Sequence, residues 1–345
     1  MNVTTYAKAG VNIEAGDKFI QQIKSKVRST FSNAVLADIG AFGAFFDGKF
    51  PRIKEPVLVA SVDGVGTKVK IAYLMDKHDT IGQDLVNHCV NDIAVCGAQP
   101  LFFLDYFATG KLKTQVAELI IDGFVKACRE NNCSLIGGET AEMPGVYRED
   151  EYDIAGMIVG VVDKKRIYDG KKVKAGDLLI GLPSTGLHTN GYSLARTVLF
   201  ERYEVDDFVD ALGMSLGEAL LTVHRSYLKP VTLVSAFPAV HAFAHITGGG
   251  IVGNTKRVIP KGSSLRIDWR AWERPPIFGL IQKIGNVPED DMRRVFNLGV
   301  GLVMIVAENG SHKVIESLRI AGEKPFIFGE VVHHTAVKQK PTRRT

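Results

Sequence analysis

Apolar residues recur along the chain with two periods, and the alternation between them predicts a mixture of helices and strands. Phe19, Ile20, Ile23, Val27 and Phe31 repeat at intervals of three and four, which predicts a helix over 17–31 with Asp17 as its cap. The run 56–62 is continuously apolar and β-branched, as in a buried strand, and ends in Asp63-Gly-Val-Gly. A short helix over 70–74, a long one over 82–96, an aromatic-rich strand over 101–107 and a helix over 114–131 capped by Thr114 follow. A short strand over 134–136 runs into Gly137-Gly-Glu-Thr140, and 152–162 alternates like another strand.

The polar, glycine-bearing stretch Asp169-Gly-Lys-Lys172 interrupts this pattern. It predicts a boundary between domains 1–170 and 171–345. Beyond it come a strand over 178–182, a helix from Ser193, a long helix ending at Pro230, the loop Thr247-Gly-Gly-Gly250, and strands over 300–306 and 327–332. Strands and helices mix without strict alternation, and no G-x-G-x-x-G follows the first strand. Both features favour an α+β layered fold over a doubly wound one.

Composition narrows the class. Of 345 residues 46% are hydrophobic and 23% charged, an ordinary globular balance. The net charge of +4 is too small and too dispersed to argue for nucleic acid. No apolar run reaches the length of a membrane span. The N-terminus lacks the apolar core of an export signal, and the cysteines (Cys89, Cys96, Cys128, Cys133) have neither zinc-site nor redox-pair spacing, so a cytoplasmic protein with reduced thiols is expected. The basic tail around Pro341 reads as a solvated end. The 35 glycines are clustered, which suggests tight turns and phosphate loops.

Five segments carry candidate chemistry. In Ser61-Val-Asp-Gly-Val-Gly-Thr-Lys68, glycines let backbone N–H groups approach an anion, Lys68 offers a point charge for phosphate, and Asp63 can hold a bridging cation. The same residues also suit a tight turn with a solvated lysine. On the 82–96 helix, Asp84, Asn87, His88, Asn91 and Asp92 share one arc. Short oxygen-bearing side chains there suit Mg²⁺, or equally a polar face satisfied by neighbouring loops. Gly137-Gly-Glu139-Thr-Ala-Glu142 places acids beside glycines at a strand end. Gly186-Leu-His188-Thr-Asn190-Gly191 forms a compact polar loop, and His245-Ile-Thr247-Gly-Gly-Gly250 suits a phosphate at a strand-to-helix junction. His224, His333 and His334 read as structural or exposed.

Taken together, these stretches resemble the phosphoribosylformylglycinamidine cyclo-ligase (aminoimidazole ribonucleotide synthetase) family. The resemblance rests on Asp63-Gly-Val-Gly-Thr-Lys68, Asn91-Asp92 with Gly97-Ala-Gln-Pro100, Leu101-Phe-Phe-Leu-Asp-Tyr-Phe-Ala-Thr-Gly-Lys111, Leu135-Ile-Gly-Gly-Glu-Thr-Ala-Glu-Met-Pro-Gly145, Gly186–Tyr192 and His245–Gly250. The segments run in family order over nearly the whole chain. The resemblance implies an ATP-dependent C–N ligase of purine synthesis with formylglycinamidine ribonucleotide as substrate. It also implies a homodimer in which the sheet of the N-terminal α+β domain forms a barrel across the two copies, with a C-terminal α/β domain beside it.

ATP would lie in the first domain against Asp63, Gly64, Gly66, Thr67, Lys68 and Asp105. Asp63, Asp92 and Glu139 would hold Mg²⁺, and His188, Asn190, Thr247, Gly248 and Gly249 would face the substrate, with Lys68 and His188 as catalytic groups. The family's Tyr-Lys-Asp-Ala-Gly-Val-Asp arm reads Tyr6-Ala-Lys-Ala-Gly-Val-Asn12 here, so it is left out of the site. Competing readings are another enzyme of the same ATP-binding superfamily, such as selenophosphate synthetase or thiamine-monophosphate kinase, and a non-catalytic nucleotide-binding subunit. The first would place a reactive cysteine near the N-terminus, whereas the first cysteine here is Cys89.

Overall fold

The computed structural model describes residues 13–333. The Tyr6–Asn12 arm and the basic tail lie outside them. The first half of the chain comprises α1 (Ile13–Arg28), β1 (Pro56–Gly64), α2 (Val69–Leu74), α3 (Ile81–Ala94), β2 (Gln99–Thr109), α4 (Thr114–Glu130), β3 (Ser134–Glu142) and β4 (Tyr152–Asp163). Its four strands form one sheet in the order β1-β4-β2-β3. Only β2 and β3 pair in parallel, joined through α4; the pairs β1–β4 and β2–β4 are antiparallel. The sequence places every one of these elements, although β3 continues through Gly137-Gly-Glu-Thr140 rather than stopping at Ile136. Thr114 is the first helical residue of α4, not its cap, and makes no capping bond.

Helices α3 and α4 cover one face of this sheet. They approach closely because Gly82 and Gly123 lie at their crossing. A β-carbon on Gly82 would stand 2.4 Å from the Ile120 carbonyl oxygen. The opposite face of β1 is bare: Leu58 and Val62 are 63% and 66% exposed.

The second half contains β5 (Leu178–Pro183), α5 (Tyr192–Leu199), the short hairpin β6 (Phe208–Val209) and β7 (Met214–Ser215), α6 (Leu216–Leu221), α7 (Leu228–Val234), β8 (Val240–His245) and α8 (Gly250–Thr255). They are followed by β9 (Ser263–Ile267), α9 (Pro276–Ile284), α10 (Glu289–Val295), β10 (Val300–Val306), α11 (Glu308–Ile320) and β11 (Phe326–His333). Five strands form a sheet in the order β8-β10-β5-β11-β9, antiparallel throughout. The α/β expectation for this half is thereby corrected: its helices are layered on an antiparallel sheet. The fold as a whole is α+β.

The long helix expected to end at Pro230 is split into α6 and α7, with residues 222–227 irregular between them. The reason lies on α3. Asp84 Oδ1 accepts from the His224 N–H at 2.7 Å, Asn87 donates to the His224 carbonyl at 2.8 Å, and Asn91 Oδ1 accepts from the Tyr227 N–H at 2.7 Å. Side chains of one half therefore satisfy backbone groups that a continuous helix would have paired internally. One hydrophobic core runs through both halves, from Phe19 to Leu318. A smaller cluster around Val303, Ile305 and Phe328 lies with Trp269 and Trp272 packed against it.

Candidate active site

The polar arc of α3 divides between two tasks. Asp84, Asn87 and Asn91 are spent on the seam just described. His88 and Asp92 instead meet the end of β1 and the end of β8. His88 Nε2 lies 2.9 Å from Asp63 Oδ2 and 3.8 Å from Asp92 Oδ2. His88 Nδ1 lies 2.7 Å from Thr189 Oγ1. Asp92 Oδ1 lies 2.8 Å from His245 Nδ1, and its Oδ2 accepts from Ser61 Oγ at 3.1 Å. His245 Nε2 faces His224 Nε2 at 3.0 Å, and the His188 ring stacks on His224 with centroids 3.9 Å apart. Four imidazoles, two carboxylates and a threonine hydroxyl thus join β1, α3, β8 and the 186–191 loop.

Charge is distributed unevenly here. Burial pulls His188 and His224 well below the ordinary histidine value, so both rings are neutral near pH 7. Burial also lowers His245, against the opposing hydrogen bond it donates to Asp92. Burial opposes a charged His88 too, but the hydrogen bond to Asp63 and the charge of Asp92 win and raise it. Burial works against ionised Asp63 and Asp92; their histidine partners prevail and hold both below the usual carboxylate value.

Two of the expected site residues lie inside the core of the single chain. Lys68 does not present its ammonium to solvent. It is fully buried, 2.8 Å from Asp84 Oδ2 and 2.8 Å from the Thr222 carbonyl. The cause is local: Gly66, at φ 58°, starts a 3₁₀ turn over Gly66–Lys68 that leads into α2 and turns the lysine inward. Thr67 goes with this turn and bonds Ser193 Oγ at 3.2 Å. His188 likewise lines no open cleft. It is 1% exposed, and its backbone sits at φ 61°, a strained region for a side-chain-bearing residue.

The remaining substrate-facing candidates are brought together. Asn190 Oδ1 accepts from the Gly248 N–H at 2.9 Å, which ties the 186–191 loop to Thr247–Gly250. Asn254 Nδ2 donates to the carbonyls of Thr247, Gly248 and Gly250. Gly249 and Gly250, at φ 99° and 65°, make the turn that leaves Gly248 and Gly249 on the surface.

Asp105 and Glu139 line a different place, a cavity of about 900 Å³ bounded by α1, residues 38–46, β2 and β3. Ile20, Ile23, Val27 and Phe46 supply apolar walls. Burial pushes the Asp105 carboxyl up to about 7. In the sheet, Asp63 pairs with Gly156, Gly156 with Asp105 and Asp105 with Gly138, so these residues form one row across all four strands. Asp63 and Glu139 therefore stand on strands three spacings apart, roughly 14 Å. Asp63 and Asp92 lie at the histidine cluster, whereas Glu139 lines the cavity.

His224, read from the sequence as structural or exposed, and Thr189, a member of the 186–191 loop without a role of its own, complete the histidine cluster. His224 lies in an irregular stretch without periodicity, and only the seam delivers it to the cluster.

Comparison with known proteins places this geometry. A family model described as AIR synthase related protein, N-terminal domain, matches residues 46–162, and one described as AIR synthase related protein, C-terminal domain, matches 174–339. A phosphoribosylformylglycinamidine cyclo-ligase of Thermoanaerobacter pseudethanolicus is 50% identical over 329 residues, covering 95% of this chain and 97% of the relative. One of Syntrophotalea carbinolica is 49% identical over 340 residues, covering 98% and 97%.

Solved structures share the fold at lower identity. Thiamine-monophosphate kinase from Stenotrophomonas maltophilia matches with TM-score 0.67 and 16% identity over 92% of this chain and 94% of that one. Hydrogenase maturation protein HypE in complex with ATP matches with TM-score 0.64 and 17% identity over 96% and 90%. With both domain models matched in order and half of all positions shared end to end, the chain belongs to the phosphoribosylformylglycinamidine cyclo-ligase family.

Proposed function

We infer that this chain is an ATP-dependent ligase forming a C–N bond: it closes formylglycinamidine ribonucleotide to aminoimidazole ribonucleotide, releasing ADP and phosphate, in purine biosynthesis. The observation that carries the reading is 50% identity over 95% of the chain to a relative bearing that name. The formyl oxygen attacks the γ-phosphorus of ATP and ADP leaves. The amidine nitrogen then attacks the activated carbon, loses a proton, and expels phosphate as the ring closes. Phosphorylation converts a poor leaving group into a good one. The protein's task is to position two groups of one substrate and to compensate charge.

ATP occupies the cavity over β2 and β3, a volume suited to a nucleotide. Its base lies between Ile20, Ile23 and Phe46, and its phosphates run toward Asp105 and Glu139. Glu139 would hold Mg²⁺ there, where the ion would offset phosphate charge, and Asp63 and Asp92 would serve a second cation position. Asn190, Thr247, Gly248 and Gly249 face the ribonucleotide, whose phosphate meets the exposed turn. His188 and Lys68 support these groups from behind.

The protein works as a homodimer in which a second copy covers the bare sheet face. Leu58 and Val62, with Tyr106 and Met157 at 39% and 37% exposure, supply the apolar surface. The four cysteines are free thiols, in keeping with a cytoplasmic setting. The reading is tested by incubating the purified protein with ATP, Mg²⁺ and formylglycinamidine ribonucleotide. ADP and aminoimidazole ribonucleotide should appear in equal amounts. ADP release with thiamine monophosphate but none with the ribonucleotide would overturn it.

A further inference from the structure

The hydrogen-bond commitments of the histidine cluster leave a place that a metal ion can take in exchange for a proton. Asn91 Oδ1 accepts from the Tyr227 N–H, so its amide nitrogen is the donor 3.2 Å from His224 Nε2. That His224 nitrogen is therefore an acceptor. His245 Nε2, 3.0 Å away, must supply a proton to it. A neutral His245 then turns a lone pair at Nδ1 toward the Asp92 carboxylate 2.8 Å away. Two lone pairs facing at that distance repel unless a proton on Nδ1 or a metal ion lies between them, and either one satisfies both.

His88 Nε2 lies 2.9 Å from Asp63 and 3.8 Å from Asp92, and a metal ion would displace the proton it shares with Asp63, leaving Nδ1 to donate to Thr189 Oγ1 at 2.7 Å. Ligand atoms of His88, Asp92 and His245 all lie within 4.8 Å of one another. Ligands about 2.1 Å from an ion stand roughly 3.0–3.4 Å apart in octahedral or tetrahedral shells, so modest movement closes the set.

We propose that His88, Asp92 and His245 form a two-histidine, one-carboxylate site for a first-row transition ion of the Mn²⁺, Co²⁺ or Zn²⁺ type. It rests on the cation position that the proposed function gives Asp92, and changes the ion expected there. Mg²⁺ favours oxygen ligands and retains its waters, whereas imidazole selects the borderline metals. The outer partners are those a metal site needs. The second nitrogen of each histidine is held, by Thr189 and by His224, and the second oxygen of Asp92 by Ser61. The other cluster of histidines, His188 with His224 and His245, cannot serve one ion. The first two rings are parallel within 14°, so their in-plane lone pairs do not converge.

The test is cobalt titration of the full-length, chelator-treated protein, followed by visible d–d absorption and without ATP or substrate. Saturable binding near one ion per chain is expected, with a large excess of Mg²⁺ failing to displace it. His245→Gln should abolish the band. Thr189→Val, which leaves all three ligands in place, should weaken binding roughly 10–100-fold. Circular dichroism checks that each variant is folded. The absence of a band in the wild-type protein, or a band unchanged in both variants, rejects the site: a proton alone then bridges His245 and Asp92. Ring closure in Mg²⁺ is assayed separately, so rejection here leaves the cyclo-ligase reading standing, and loss of ring closure with an intact cobalt band rejects only the latter.

Discussion

Lys68 and Asp84 form an ion pair, Nζ to Oδ2 at 2.8 Å, in which neither side chain has any exposure to solvent. Burial pulls Lys68 down and pushes Asp84 up, each toward its neutral form, against their mutual attraction. The pair joins the Gly66–Lys68 turn to α3, and the bond from Lys68 to the Thr222 carbonyl extends it to the second half.

Lys68→Ala should therefore act chiefly on stability. Removing one partner of a buried pair leaves an uncompensated charge and typically costs about 3–5 kcal/mol. Urea denaturation should show that loss, and a Lys68→Met, Asp84→Leu double variant should recover much of it. Unchanged stability together with a collapse of kcat would instead assign the lysine to the transferring phosphoryl group.

Asp105 supplies a pH dependence. Its carboxyl titrates near 7 in the folded protein, against an ordinary value of 3.8. The folded state thus holds a proton that the unfolded state has lost between those values. The contribution to stability is fully present below about 3.8 and is lost as pH rises through 7. Asp105→Asn should flatten the fall in melting temperature between about pH 4 and 7. An identical profile in wild type and variant would count against burial of this acid.

Gly138 tests the cavity floor. A β-carbon there would stand 2.2 Å from Asp105 Oδ1 and 2.6 Å from the Asp105 carbonyl oxygen. The backbone contact cannot be relieved by rotating a side chain. Gly138→Ala should cost about 1–3 kcal/mol and weaken ATP binding measured by calorimetry. Wild-type affinity would place the nucleotide elsewhere.

The bare face of β1 bears on assembly. Val62→Lys puts a charge where the second copy is proposed to pack, on a side chain 66% exposed in the single chain. Sedimentation should shift from dimer to monomer with little change in monomer stability, because exposed substitutions stay near ±0.5 kcal/mol. A dimer that survives the charge would move the interface to another surface.

Most of the elements, and the family, are legible in the order of residues alone. Periodicity reports which face of a segment is apolar, and that local property placed β1, β4, β5 and β10 within a few residues of their ends. The glycine-rich segments, contiguous in the chain, identified the family without knowledge of any contact. Where the polar groups go emerges only once the chain has folded. The arc of α3 carries five candidate side chains, but periodicity cannot tell that Asp84 meets His224, 140 positions away, while His88 meets Thr189, 101 positions away. Lys68 reads as a phosphate ligand from its glycine turn, and the closure of that turn onto Asp84 makes it part of the core. Hydrophobic pattern is fixed by neighbours a turn or a strand residue apart. The pairing of buried polar groups is fixed by which distant backbone and side-chain atoms remain to be satisfied once the two halves close on one another.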